Sequence, residues 1–235
     1  MATEPESAGL ASSLTDLMTS LAVIFILLLV AMLNNARQQA EGTRSQVLSR
    51  LLEALKAFQK AGAKEGVQIT TDPKDPLGLL VIVPEGLLQF HQGKAEIPPG
   101  GTEFLQRFIP TFVQTACSPD LRQGISSIVV EGHASSEGAE KLNLALSQSR
   151  SMSVVQDSLD VLDNGTNGNS AENHTCFVGF VSATGRGSAD PYKDKDGNED
   201  RSLSRRVVFK IRVKSIEQRG FETRVGLSDV KPAGQ

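Results

Sequence analysis

Residues 17–36 carry no charged side chain, and within them residues 21–33 (LAVIFILLLVAML) are wholly apolar. At about 1.5 Å rise per residue, roughly 20 helical residues cross the ~30 Å of bilayer hydrocarbon. The stretch reads as one transmembrane helix over residues 14–33. A cleaved signal peptide would need a basic segment ahead of the apolar core and a small-residue cleavage site behind it. The preceding MATEPES holds two Glu and no Lys or Arg, and the run ends in Asn34-Asn35-Ala36-Arg37. The rest of the chain is close to neutral: 24 Lys+Arg against 27 Asp+Glu give a net charge of −3. A nucleic-acid binder would carry a basic surplus, and with no Trp and one Tyr the chain lacks the aromatics of a base-stacking platform.

Asp16 stands at the entrance of the helix. Ser12, Ser13, Asp16, Thr19 and Ser20 recur at three- and four-residue spacing, which places them on one helical face. A carboxylate facing lipid costs about 2.5–3.5 kcal/mol at mid-helix on insertion scales. The stripe therefore calls for another subunit or a watered seam, and one helix cannot enclose an ion path by itself. Two readings stay open from spacing alone. Asp16 complements the positive end of the helix dipole, or it carries a proton or Na⁺, since desolvation favours the neutral form of a carboxyl group.

Residues 34–66 are polar and helix-prone, with Val47, Leu48, Leu51, Leu52, Leu55 and Phe58 on one apolar stripe. This connector reads either as a helix packed on the following domain or as a dimer-forming stalk or plug. From about residue 67 the pattern alternates between strand and helix. Strands are expected at 79–84, 125–131, 176–183 and 207–213, the last with Val207, Phe209, Ile211 and Val213 inward and Val208, Lys210 and Arg212 outward. A first helix, capped by Thr102, buries Phe104, Leu105, Phe108, Ile109, Phe112 and Val113. A second spans 138–162 and offers Leu142, Leu146, Val154, Val155, Leu159 and Leu162 for burial. Residues 163–173 read as a turn-rich loop. The acidic loop around Asp194, Asp196, Asn198 and Asp200 offers oxygens, but Gly197 is misplaced for an EF-hand and no Glu closes it, so it reads as solvated. No nucleophile–base constellation or phosphate loop appears, so the chain does not read as an enzyme. No cofactor or resident metal is expected.

Two resemblances sharpen this. Asp16-Leu17-Met18-Thr19 resembles the D-[LF]-[MV]-T opening of the transmembrane helix in B subunits of the flagellar stator family. There the Asp carries the transported ion, so the resemblance implies H⁺ or Na⁺ transport on Asp16, with Thr19 and Ser20 in support. Residues 80–214 resemble the OmpA-like peptidoglycan-binding domain in four ordered pieces. Phe90-His91-Gln92-Gly93-Lys94-Ala95-Glu96-Ile97 resembles its F-x-x-G-x-A-x-[IL] entry strand. Gly132-His133-Ala134-Ser135, Gly138, Asn143, Leu146-Ser147 and Arg150 match G-H-T-D-x-x-G…N-x-x-L-S-x-x-R; Gly185-Arg186-Gly187 with Pro191, and Ser204-Arg205-Arg206-Val207, complete the series.

The resemblance implies a single N-terminal transmembrane helix plus an α+β domain, a βαβαββ sandwich with helices on one face of the sheet. Its limits are a cytoplasmic tail 1–13, the span 14–33, a helical linker or plug 34–66, the OmpA-like domain 67–217 and a loose tail 218–235. It implies that Asn143, Leu146 and Arg150 bind peptidoglycan, Arg150 gripping a stem-peptide carboxylate with its planar fork. Ser135, Leu142 and Arg205 are the further candidates. Ser135 replaces the family Asp and cannot pair with an ammonium group; Glu137 is the nearest acid. His133 reads as a packing or turn residue rather than a metal ligand.

The implied protein is a B subunit of an ion-driven inner-membrane motor: a homodimer inside a ring of multi-span A subunits, anchored to peptidoglycan. The short tail without basic residues and Ser135 favour resemblance to the B subunits of Zorya anti-phage defence motors over flagellar stators. A passive envelope tether is the alternative of another class. Wall binding puts the C-terminal domain in the periplasm and the N-terminus in the cytoplasm. The positive-inside rule argues the reverse, because Arg37, Arg44 and Arg50 all follow the span; the domain resemblance is taken as the stronger sign. In a periplasmic domain Cys117 and Cys176 are free to form a disulfide; whether they lie close enough stays open.

Overall fold

The computed structural model describes residues 6–61, 66–165, 170–215 and 218. The expected tail beyond 218, the first five residues, Gly62-Ala63 and the side chains of Ser12, Ser13 and Phe58 lie outside the described residues. The chain divides into two compact units, Met1–Thr43 and Arg44–Gln235.

Helix α1 runs from Glu6 to Ala61. Its stretch Leu14–Gln38 is long and apolar enough to cross a membrane, and its apolar part is not buried within the protein. Beyond Arg44 the helix turns one stripe onto the second unit. Leu51 and Leu55 are fully buried in its core, with Val47 and Leu52 packed against it. The connector thus follows the packed-helix reading in this stretch.

The second unit is a mixed five-stranded sheet in the order β1-β2-β5-β3-β4. The strands are β1 (Gln68–Thr71), β2 (Gly78–Pro84), β3 (Ile125–His133), β4 (Val181–Gly187) and β5 (Arg206–Val213). Among the described residues β3 and β4 pair in parallel and the other neighbours are antiparallel. The parallel pair needs a crossover, supplied by α5 (Glu140–Asp163) and α6 (Ser170–Phe180). Between β2 and β3 run α2 (Glu85–Leu88), α3 (Pro99–Ala116) and α4 (Pro119–Arg122), and α7 (Arg201–Ser204) precedes β5.

The core grows from the apolar stripe of α3. Phe104, Phe108 and Phe112 recur every four residues and stack with centroids 5.5 and 5.2 Å apart. Phe209 of β5 closes on Phe108 at 5.4 Å and on Phe112 at 5.2 Å. The single apolar helix joined to an α+β sandwich is the expected architecture; β1 and α6 are additions to it.

Four local expectations need correction. Thr102 does not cap α3: Pro98 is the cap, Pro99 begins the helix, and the Thr102 hydroxyl points back to the Pro98 carbonyl and to Asp157. Proline at the first helical position is favoured because its missing N–H has no partner to lose. Residues 176–180 are helical in α6, not strand, because Phe177 enters the core from a helix and the strand proper begins at Val181. The turn-rich loop is correspondingly shorter, and its residues 166–169 lie outside the described residues. Leu142 is 69% exposed in the first turn of α5. Val208, expected outward, is buried to 3% exposure because charged loops close over that face of the sheet.

Candidate functional site

The motif residues gather where α5 meets the ends of β3 and β4. The helix lies unusually close to the sheet there. A Cβ on Gly132 would fall 2.1 Å from the Ser147 carbonyl oxygen, and one on Gly185 would fall 2.6 Å from the Gln148 nitrogen. Only glycine permits that approach. Ser147 Oγ accepts from Gly187 N at 2.9 Å and donates to Leu144 O at 2.9 Å. Gln148 pairs with the outer edge of β4, its Oε1 accepting from Gly185 N at 2.7 Å. The helix thereby covers part of an edge strand whose backbone groups would otherwise be open.

Asn143 shapes the loop between β3 and α5. Its Nδ2 donates to Ser135 O at 3.1 Å and to Glu137 O at 2.8 Å. Ser135 is buried, and the loop is tied to the segment after β4: Ser136 bonds Glu199 through its backbone N–H and hydroxyl, and Glu137 meets Arg201 at 2.7 Å. Leu146 is half-buried on the same helix.

Arg150 is buried, with its side chain 7% exposed. Nη1 meets Glu85 Oε1 at 2.7 Å, Nε donates to Lys94 O at 2.9 Å and Nη2 to His91 O at 3.1 Å. Its Cζ lies 4.8 Å from the centre of the Phe90 ring. Burial works against the charged guanidinium and Glu85 offsets it. Arg205, half-buried, places its Nε on the other oxygen of the same carboxylate. Glu85 therefore bridges the two candidate arginines, and Arg150 holds the 90–94 turn in place. Sequence reasoning missed Glu85: it follows β2 in no recognisable motif, and only the fold brings it to Arg150, 65 residues away.

At the other end of the chain, Asp16 and Ser20 are exposed on α1. The Thr19 hydroxyl shares its proton between the carbonyls of Thr15 and Asp16, each at 2.9 Å, within the helix.

Cys117 and Cys176 form a disulfide, with Cα atoms 6.1 Å apart across a sequence separation of 59. It joins the end of α3 to α6. Among the described residues no group of three or more His, Cys, Asp or Glu is placed to hold a metal ion. Asp194 Oδ1 instead accepts from the backbone N–H groups of Asp196 and Asn198, at 2.9 Å each, and Asp200 caps α7.

Sequence comparison adds a relative spanning almost the whole chain. A protein of Escherichia coli strain Crooks, named Zorya protein ZorB, is 27% identical over 210 residues, covering 85% of this chain and 86% of its own length. The chain resembles Zorya protein ZorB. A second protein of that name, from Escherichia coli O139:H28, is 29% identical over 154 residues, 63% of this chain and 60% of that one. No protein-family profile matches. Among solved structures, a putative MotB-like protein from Desulfovibrio vulgaris covers 77% of this chain and 96% of its own at 21% identity, with a TM-score of 0.49. The periplasmic domain of Helicobacter pylori MotB covers 71% and 94% at 16% identity, with a TM-score of 0.46.

Proposed function

We propose that this chain is the B subunit of an ion-driven rotary motor of the inner membrane, of the Zorya anti-phage type. The observation that carries the reading is one chain holding both parts a stator B subunit needs. The exposed apolar span Leu14–Gln38 of α1 bears a single carboxylate, Asp16, and the chain continues into an α+β domain bearing the ordered peptidoglycan-binding motifs. Similarity to ZorB across 85% of the chain supports the Zorya assignment.

In this reading two copies sit within a ring of multi-span A subunits, N-termini in the cytoplasm and C-terminal domains in the periplasm. H⁺ or Na⁺ moving down the membrane potential neutralises Asp16 on each copy in turn. Loss of the charge alters its contacts with the ring, and the ring rotates relative to the dimer. The potential contributes about 2.3 kcal/mol per charge per 100 mV, several times thermal energy. The C-terminal domain holds the dimer to peptidoglycan and gives the torque a fixed point. Asn143 shapes the wall-binding loop around Ser135, Leu146 lies half-buried three residues further along α5, and Arg205 and Arg150 supply positive charge for a stem-peptide carboxylate. Leu142 presents an exposed apolar side chain in the first turn of α5. No catalysis of bond cleavage is assigned.

Asp16→Asn tests the motor: phage protection and ion flux disappear while membrane insertion and complex assembly stay unchanged. Protection equal to wild type defeats the carrier role and leaves a passive tether. In a peptidoglycan pull-down, Arg205→Ala lowers retention; retention equal to wild type removes Arg205 from the anchor.

A further inference from the structure

One carboxylate serves two arginines at the start of α2. Glu85 places Oε1 on Arg150 Nη1, at 2.7 Å, and Oε2 on Arg205 Nε. Arg205 lies close enough to Arg150 to oppose its charge, and Glu85 stands between the two guanidinium groups. The three side chains grade from inside to outside: Arg150 is 7% exposed, Glu85 19% and Arg205 36%. The void left between Glu85, Phe90 and Arg150 is about 10 Å³, and one water needs roughly 10–15 Å³. In this form the arginine fork has no room for a second carboxylate.

The parts of this cluster are held with unequal firmness. Arg150 does not depend on Glu85 for its place: Nε and Nη2 donate to the carbonyls of Lys94 and His91, and the guanidinium lies over the Phe90 ring. The fork therefore stays aimed at the same point when the acid leaves it. The Glu85 backbone is also fixed, its N–H donating to the Arg205 carbonyl at 3.1 Å. The Glu85 carboxylate, by contrast, is held through the two arginines. Rotation between staggered side-chain conformers vacates the fork without any change in the backbone.

We propose that Glu85 is an autoinhibitory gate: its carboxylate closes the Arg150–Arg205 fork in the free protein and must swing out before the domain takes hold of peptidoglycan. The inference rests on the wall-anchoring reading above and adds to it a closed state and the residue that keeps it closed. An acid on the same chain competes at a high effective concentration, so a sparse external carboxylate does not displace it. Opening without a replacement leaves two like charges unneutralised, one of them buried, which is costly. The fork therefore opens only where carboxylates are crowded, as on the surface of the wall, and closure and wall binding exclude one another.

The test sediments the full chain, in detergent micelles, with insoluble peptidoglycan sacculi over a range of concentrations. Glu85→Gln keeps the size of the side chain and removes the competing charge. It should lower the apparent Kd about tenfold, the scale of one hydrogen bond to a charged group. Glu103→Gln removes a negative charge from an exposed position of α3 and should leave the Kd unchanged, which separates the gate from general repulsion by an anionic wall. Adding Arg205→Ala to Glu85→Gln should cancel the gain. If Glu85→Gln melts too low to assay, Glu85→Asp decides: it keeps the charge, draws the carboxylate back by one methylene so that it no longer spans both arginines, and should also tighten binding. Wild type retained with the Glu85 variant no tighter overturns the gate and leaves the anchor standing. An equal gain in Glu103→Gln overturns the gate too. Retention of neither wild type nor variant removes wall anchoring and the gate with it, whereas retention of the variant alone supports both.

Discussion

His133 sits where a motif's meaning depends on surroundings that no motif records. The Gly-His pair places it at the end of β3, but the fold buries it and leaves both nitrogens without hydrogen bonds. Burial lowers its folded-state pKa below the ordinary 6.5. The unfolded chain therefore takes up a proton first as pH falls, and stability declines from about pH 6.5 downward toward the folded-state value. Thermal melts of the soluble part should show a midpoint that drops between pH 7.5 and 5.5, and His133→Gln should flatten that slope. An equal slope in the variant would assign the effect to other groups. Arg150 makes a related point. Its position in the motif could be read directly, but its contacts with Glu85, His91 and Lys94 lie 56 to 65 residues earlier in the chain.

Among the elements, α3 was the most legible. Its apolar residues repeat at helical spacing, and their burial follows from that repeat; only the start shifted, from Thr102 to Pro98. The least legible was α6. Residues 176–180 are Cys-Phe-Val-Gly-Phe, a composition that suits a strand, and a short apolar run carries no period to distinguish the two. Tertiary packing decides: Phe177 enters the core and Cys176 reaches Cys117 only from a helix lying beside the end of α3. That bond closes a loop of about 60 residues, and the chain-entropy relation gives about 4 kcal/mol of stabilisation. Cys176→Ser should lower unfolding free energy by about 2–4 kcal/mol in urea melts, with reduction of the wild type producing the same loss. A midpoint unchanged under reduction would show that α6 is held by packing alone.

At the scale of the whole molecule, the two compact units divide near Arg44, inside α1 rather than at the start of the sheet domain. A chain beginning at Arg44 lacks the apolar span yet retains Leu51 and Leu55, both fully buried. It should be recovered in the soluble fraction and melt cooperatively. A chain beginning at Val67 loses both leucines, and with about 2–5 kcal/mol for each buried leucine side chain removed it should melt well below the longer one. Equal midpoints would show that the packed stretch of α1 adds nothing to the domain. The amino-acid sequence by itself determined the apolar span, the strand and helix alternation, and the ordered motifs, because hydrophobic period and glycine placement act over a few residues. Tertiary structure alone decided that Glu85 bridges two arginines, that Cys117 meets Cys176, and that loops seal Val208 and His133 beneath an ion pair. Each of those joins groups far apart in the chain, and local propensity carries no information about which distant side chains will become neighbours.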